Sequence, residues 1–510
     1  MRRDHFEVTH RDMMGRVGKL YTPHGTVQTP ALMPVINPNI EFIPPSELRK
    51  FGAEILITNS YIIYRSDRLR EKALEKGLHS LLKTDMPVMT DSGSYQLMVY
   101  GDVEVTNKEI VEFQKKIGSD IAVPLDVPTP PDADESLIVE DMKITLERER
   151  EAAEIFNGSD NLLAFPIQGS TNPAMRRKFA EEVRKIAESY GVRPIFPVGA
   201  VVPLLDAYRF SDVVRALLEA KSVLPSCYPV HLFGAGHPML FALAAALGCD
   251  LFDSAAYALY ARDGRYMTVR GTEKLEEMNE FPCCCPVCSS YTPAELRKMD
   301  RKDRERLLAE HNLYVSFQEI RTVRQAIRSK TLFELVESRI RSHPYLLNAW
   351  RLLKEGRYQE MLEALDPGIK GRFFYTGVES LMRPAVKRHH ERVLNVPPPK
   401  SKVIVATFSS GLPADLYLRP CFGVLPAQLL ECYPPGHAEM PEDSLIDGEA
   451  IEVAVEGFLK YASAYKNTAF EVHLLEEELE VWGRLEEAVM RVALDNVSFK
   501  VVKVSEDPDR

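Results

Sequence analysis

Short apolar runs alternate with amphipathic stretches through roughly the first 260 residues, and this alternation restricts the chain to folds built on a parallel sheet. The runs are Ala31–Val35, Glu54–Thr58, Pro87–Thr90, Ile121–Leu125, Leu162–Ile167, Ile195–Val198, Val230–Phe233 and Cys249–Phe252. Segments with helical start and stop signals lie between several of them. Ser66–Lys76 opens on a capping serine and stops at Gly77. Asn107–Ile117 places Ile110, Val111, Phe113 and Ile117 at helical spacing, and Pro173–Tyr190 and Ser211–Ala220 behave similarly. Pro238–Leu247 is nearly all apolar, which predicts a helix packed on two sides. Eight such strands predict an α/β fold, a closed (β/α)8 TIM barrel, with an open doubly wound sheet as the alternative. Arg11–Val27 predicts a hairpin covering the barrel's base.

The chain of 510 residues is too long for the barrel alone. Four parts are expected: a catalytic barrel over 1–275, a zinc-binding and helical part over 276–395, and small α/β domains over 400–445 and 446–510. The stiff V-P-P-P run at Val396–Pro399 marks the main boundary. Beyond it, Val403–Phe408 predicts a buried strand, Glu452–Ser463 a helix, and Glu471–Leu475 and Ser498–Val504 further strands.

Charge narrows the class of partner. Residues 401–510 hold 9 Lys+Arg against 20 Asp+Glu, so the whole net charge of −11 sits there. Such a balance argues against indiscriminate nucleic-acid binding but leaves room for a local basic face. Ten Lys and Arg between Leu296 and Lys330 predict a solvated helical surface. No run approaches the ~20 apolar residues of a membrane span. The start M-R-R-D-H-F has no apolar core of a secretory signal, so a cytoplasmic location is expected.

Cysteine use points to a metal. Cys283, Cys285 and Cys288 form a C-x-C-x2-C array, with His311 23 residues further on. Three thiolates and an imidazole suit a closed tetrahedral Zn2+ site, one structural ion per chain. Cys284 competes as a ligand inside the same run. Cys227, Cys249, Cys421 and Cys432 are expected as small buried residues. His237 reads as a turn or cap histidine, and His389–His390, among Lys387, Arg388 and Arg392, as a solvated basic helix end.

Barrel enzymes carry their reactive groups where the strands end. Here those ends are polar: Asp91 to Gln96 after the third strand, Asp126 after the fourth, Gln168-Gly169-Ser170 after the fifth, Gly199-Ala200-Val201 after the sixth, Gly234 to His237 after the seventh, and Asp253 after the eighth. An aspartate at any one strand end is often a helix cap. Three at one mouth, with an amide and glycine-lined backbone, suit chemistry on a nucleobase. A carboxylate accepts N–H bonds from a guanine-like edge, a glutamine amide pairs with its carbonyl, and Tyr95 can stack on the ring. Two further aspartates can divide nucleophilic and acid–base roles at an anomeric carbon.

These residues stand in motifs that resemble the tRNA-guanine transglycosylase family, most closely its archaeal, archaeosine-forming type. The motifs are M-T-D-S-G-S-Y-Q (Met89–Gln96), P-L-D-V-P-T-P (Pro124–Pro130), F-P-I-Q-G-S (Phe165–Ser170), V-G-A-V-V-P-L (Val198–Leu204), H-L-F-G-A-G (His231–Gly236), L-F-D-S-A (Leu251–Ala255) and the cysteine–histidine set. The resemblance covers about residues 1–395 strongly and the remainder more weakly. It implies exchange of guanine at position 15 of the tRNA D-arm for 7-cyano-7-deazaguanine (preQ0). It implies Asp253 as the nucleophile that holds a covalent RNA intermediate, and Asp91 as the general acid/base. Asp126, Gln168, Tyr95, Gly199, Ala200, Val201 and Gly234 would receive the base, and Arg262 and Arg265 would touch RNA phosphate. The family favours a homodimer. A C-terminal PUA domain of the archaeal type is not expected in this sequence, so the expectation is either a separate PUA-domain protein as partner or a tRNA held mainly by the catalytic half. Three other readings compete: exchange at the anticodon as in bacterial members, a non-catalytic zinc protein that binds RNA or scaffolds a partner, and a metal-dependent barrel hydrolase. The last needs metal ligands at the strand ends, usually histidines, where this mouth supplies carboxylates and an amide instead.

Overall fold

The computed structural model describes residues 5–40, 42–94 and 105–503. The chain forms two compact units, Met1–Leu352 and Leu353–Arg510.

The first unit is built on a closed barrel of eight strands. In chain order they are Ala31–Ile36, Leu56–Asn59, Val88–Asp91, Ile121–Ala122, Leu162–Ala164, Arg193–Val198, Val230–Leu232 and Leu251–Ser254. All neighbours are parallel, and the eighth strand pairs with the first, Asp253 opposite Met33. The eight apolar runs thus become the eight strands, and the open-sheet alternative falls. The fourth and fifth strands are shorter than the sequence pattern suggests. Leu125 and Ile167 are buried all the same, and Ile167 still bridges Val198 of the sixth strand.

The helices start and stop for local reasons. Ser66 caps Asp67–Lys76, and Gly77 ends it at φ +82°. Thr106 and Glu109 form a capping box before Asn107–Lys116. Asn172 caps Pro173–Tyr190, which carries proline at its first position. Every residue of Pro238–Ala246 is buried, and this helix packs against Arg301–Ser329 and Leu332–Ile340. The expectation of two-sided packing is therefore met.

A three-stranded antiparallel sheet, Phe6–Asp12, Gly15–Thr22 and Gly25–Thr29, closes the barrel's base. Its Phe6, Leu20 and Val27 share one core with Met33, Ile57, Met89, Leu162, Ile195 and Leu251 from the barrel interior. Each such side chain contributes about 1.5–3 kcal/mol on leaving water. Polar ties fix the sheet's position. Buried Arg16 donates to both carboxylate oxygens of Asp250, at 2.8 and 2.6 Å, just before the eighth strand.

After the barrel come the hairpin Arg265–Thr268/Gly271–Lys274, the short helices Pro286–Ser290 and Pro293–Lys298, and the 29-residue helix Arg301–Ser329. The basic residues of this region are not all solvated. Arg324 is buried and donates to Pro30 O at 2.7 Å and Glu54 Oε1 at 2.8 Å, so a guanidinium serves as an internal tie.

The second unit carries a five-stranded sheet that includes Lys402–Thr407 and Ala469–Leu475, paired in parallel. Its strands come from both sides of residue 446. The helix Pro384–Val393 packs on Gly423–Pro426 within the same unit. That packing corrects the reading of His389 and His390 as solvated. His389 is fully buried with Nε2 3.2 Å from Val424 O, and His390 Nε2 lies 2.8 Å from Cys421 O. Cys249 and Cys421 are buried as expected, but Cys227 is exposed and Cys432 only partly buried. Among the described residues no helix is long and apolar enough to cross a membrane.

Candidate active site

The three aspartates sit at the ends of the third, fourth and eighth strands and feel one another. Burial, then the charges of Asp126 and Asp253, push the Asp91 carboxyl up to about 7. Asn59, at the end of the second strand, donates to Asp91 Oδ2 at 3.1 Å. Its own Oδ1 accepts from Ile62 N and caps the next helix, so one side chain ends a strand, starts a helix and orients a reactive group. Asp126 is 8% exposed, and burial raises its carboxyl as well. Ser94 Oγ accepts from the Asp126 backbone N–H at 3.0 Å. Tyr95 lies outside the described residues.

Gln168 is fully buried, and its Nε2 donates to Asp126 Oδ2. Its Oε1 has no hydrogen-bond partner among the described residues. A buried, unpaired amide oxygen beside a carboxylate is an acceptor pair waiting for donors. Backbone approach here depends on Gly199: a Cβ at that position would come within 2.6 Å of Gln168 Nε2. Ala200 follows with φ +55°, and Val201 is buried.

Arg176 holds this wall in place. Its guanidinium donates to Ile167 O at 2.7 Å, Ser170 O at 2.8 Å and Gly199 O at 2.9 Å. The side chain is 1% exposed, and burial lowers its pKa to about 10. Sequence reasoning missed it. Arg176 stands in the run M-R-R-K on a helix, where an arginine normally faces water.

Asp253, 5% exposed, closes the arrangement. Its Oδ1 accepts from Gly234 N at 2.6 Å and lies 2.8 Å from His231 Nε2. Gly234 has φ +76°, and a Cβ there would come within 2.4 Å of Val202 Cγ2, so only glycine aims that N–H at the carboxylate. His231 was visible in the motif H-L-F-G-A-G, but its role was not. His237 caps Pro238–Ala246, accepting from Met239 N at 3.3 Å, as expected.

Arg262 and Arg265 have partners within the chain. Arg262 lies over Phe42 at 5.5 Å; Arg265 lies over Tyr260 at 4.6 Å and pairs with Asp263 at 3.0 Å.

Cys283, Cys285, Cys288 and His311 converge on one point, all ligand atoms within 4.8 Å of one another. His311 Nδ1 is 3.5 Å from Cys285 Sγ and 3.3 Å from Cys288 Sγ. A tetrahedral ion bound at about 2.3 Å to sulfur and about 2.0 Å to nitrogen needs roughly 3.5 Å between those atoms, so the set fits a metal. His311 Nε2 lies 3.0 Å from Met267 O, and Tyr266 stacks on the ring at 3.6 Å; together they fix which nitrogen faces the thiols. Cys284 is exposed and outside the set. Asn312 donates to Arg265 O at 3.2 Å and accepts from Met267 N at 2.9 Å, tying the hairpin to the helix that carries His311.

A second group, His24, His79 and Asp120, lies at the barrel's base. Its two rings stack with centroids 3.6 Å apart, whereas a shared tetrahedral ion would hold them about 5 Å apart. Asp120 Oδ2 also accepts from Val88 N, at 2.8 Å. The group is a polar staple between the hairpin and the barrel.

Comparison with known proteins places this architecture. The family model described as queuine tRNA-ribosyltransferase matches residues 12–345. A tRNA-guanine(15) transglycosylase of Archaeoglobus fulgidus is 58% identical over 469 residues, 92% of this chain and 95% of that protein. One of Methanosarcina barkeri is 52% identical over 477 residues, 93% of this chain and 94% of the relative. A longer one, of Methanocaldococcus jannaschii, is 48% identical over 458 residues, 86% of this chain but 68% of the relative. With a barrel of eight parallel strands, three carboxylates at its mouth and this breadth of identity, the chain belongs to the queuine tRNA-ribosyltransferase family and is a pentosyl-transferring enzyme.

Proposed function

We propose that this enzyme exchanges guanine at position 15 of the tRNA D-arm for preQ0 through a covalent Asp253–ribosyl intermediate. The observation that carries the reading is the gathering of Asp91, Asp126 and Asp253 at the mouth of one closed barrel, with Gln168 bonded to Asp126 and Gly234 N bonded to Asp253. The names of its relatives support the position.

Guanine is a poor leaving group, so its departure needs a proton. Asp91, poised near neutrality, donates it as the N9–C1′ bond breaks with the electron pair passing to the purine. Asp253 Oδ2 bonds to C1′. Asp126 and Gln168 hold the edge of the departing and then the incoming base. The incoming N9 gives its proton to Asp91 and displaces the carboxylate, which restores the enzyme. One N-glycosidic bond replaces another, so neither ATP nor an electron carrier enters the balance.

Cys283, Cys285, Cys288 and His311 would hold zinc, which supplies rigidity to the subdomain after the barrel. Ligand thiols kept reduced fit a cytoplasmic setting. Arg262 and Arg265 are proposed for RNA phosphate, having first to leave their present partners.

The test is exchange of labelled guanine and labelled preQ0 into unmodified tRNA, with the product mapped by nucleotide. Incorporation of preQ0 at position 15 supports the proposal, and the same assay shows whether a helper protein is required. Incorporation at the anticodon, or none of either base into folded enzyme and tRNA, overturns it. Asp253→Ala should remove both exchange and the covalent adduct.

A further inference from the structure

We propose that His231 is a positioning residue that, with the Gly234 N–H, forms a donor pair for the Asp253 carboxylate and tunes it as a leaving group. The inference rests on the proposed role of Asp253 as nucleophile and goes beyond it.

The geometry divides the two carboxylate oxygens. Oδ1 lies 2.8 Å from His231 Nε2 and accepts from Gly234 N at 2.6 Å. That leaves Oδ2 as the oxygen for C1′. His231 is fully buried and stacks on Phe233 with ring centroids 4.9 Å apart, so its ring cannot swing away cheaply. The tautomer follows from hydrogen-bond accounting. His231 Nδ1 is buried and has no partner among the described residues. A proton there would be a buried donor with no acceptor, whereas a proton on Nε2 points at a carboxylate. The Nε2–H therefore faces Asp253.

The donor pair acts mainly in the second half of the reaction. In the covalent intermediate Oδ2 is bonded to C1′ and Oδ1 is the ester carbonyl. When the incoming N9 forms its bond to C1′, the Oδ2–C1′ bond breaks and its electron pair returns to the carboxylate. Negative charge then grows on Oδ1, where two N–H donors already point. Donors placed where charge develops lower that barrier, as in an oxyanion hole. Removing one leaves the returning charge with a single donor, so the Oδ2–C1′ bond breaks more slowly.

The experiment compares wild type, His231→Phe and His231→Gln, with fold checked by circular dichroism and metal content. Denaturing gels measure the covalent fraction with labelled tRNA, and exchange assays give kcat and KM for preQ0. His231→Phe should lower kcat about 10²-fold, the cost of one such donor, with KM for preQ0 little changed. Its steady-state covalent fraction should rise above wild type. His231→Gln keeps an N–H and should recover much of the rate. A folded His231→Phe enzyme with a wild-type covalent fraction and rate overturns the inference. So does a covalent fraction that falls in step with the rate in both variants, which marks a purely structural role. A wild-type enzyme that forms no adduct, or an adduct that survives Asp253→Ala, instead overturns the nucleophile assignment beneath it.

Discussion

Gln168 donates from its side-chain amide to Asp126 while its own carbonyl oxygen stays unpaired, so two acceptors of different charge stand side by side at the end of the fifth strand. Bound water would satisfy such a pair loosely; a purine edge with several N–H groups satisfies it fully. The charged acceptor dominates, since a hydrogen bond to an ion contributes about 1.5–3 kcal/mol. Asp126→Asn should therefore lower kcat/KM for the free base about 10- to 100-fold while leaving tRNA affinity unchanged. Initial rates against base concentration check this, and an unchanged kcat/KM would remove Asp126 from base recognition.

Asp91 sets a pH dependence whose sign follows from its role as acid. Its carboxyl is raised to about 7, first by burial and then by two neighbouring carboxylates. The proton it gives to guanine is present below that pH and absent above it. Single-turnover release of guanine should slow as pH rises through about 7, and Asp91→Asn should lose the transition along with turnover. Stability moves in the same direction. The folded state holds a proton that the unfolded chain releases near the ordinary carboxylate value of about 4. Stability attributable to this group therefore falls as pH rises between about 4 and about 7. Thermal melts at pH 5 and pH 8 should differ less in Asp91→Asn than in wild type.

Arg176 reinforces the ends of two paired strands, joining the carbonyls of Ile167 and Ser170 to that of Gly199. Arg176→Met would leave the carbonyls of Ser170 and Gly199 without the guanidinium and Ile167 O with only the Gly199 N–H. At about 1–3 kcal/mol for each of the two carbonyls left unpaired, the loss should be about 2 kcal/mol or more. A lowered urea midpoint together with a raised KM for the base is the expected result. A change in stability alone would confine Arg176 to the scaffold.

The metal centre separates neighbouring cysteines. Cys285→Ser should lower bound metal and melting temperature together, because metal binding is linked to folding. Cys284→Ser should change neither, since Cys284 faces solvent. Metal analysis of both variants decides the ligand set, and loss of metal in Cys284→Ser would reassign it.

The barrel was legible because strand burial on both faces writes itself as uninterrupted apolar runs, and helix ends write themselves as Ser66, Thr106, Asn172 and Gly77. The metal set was legible for a related reason: three of its ligands lie within six residues, and local chain geometry brings them together. Asp91, Asp126 and Asp253 were visible as polar residues ending apolar runs. Other features lack a local signal. Arg176 and Arg324 look like surface residues on helices, yet each is buried against backbone carbonyls, Arg324 against Pro30 from the far end of the chain and Arg176 against the strand ends on either side of its helix. The His389–His390 pair looks solvated until a strand from Gly423–Pro426 covers it.

What the sequence determined by itself was therefore the strand and helix order and the identity of the ligands and carboxylates, since each follows from short-range periodicity and residue chemistry; the closing of the eight strands into a ring was its leading expectation, decided by the pairing of the eighth strand with the first. Only the tertiary structure decided which Asp253 oxygen is held by His231 and Gly234, which amide faces Asp126 and which arginines are interior ties. The contacts of Asp253 and Asp126 join groups 19 to 42 residues apart within 3 Å, and nothing in local spacing encodes a distance of that kind.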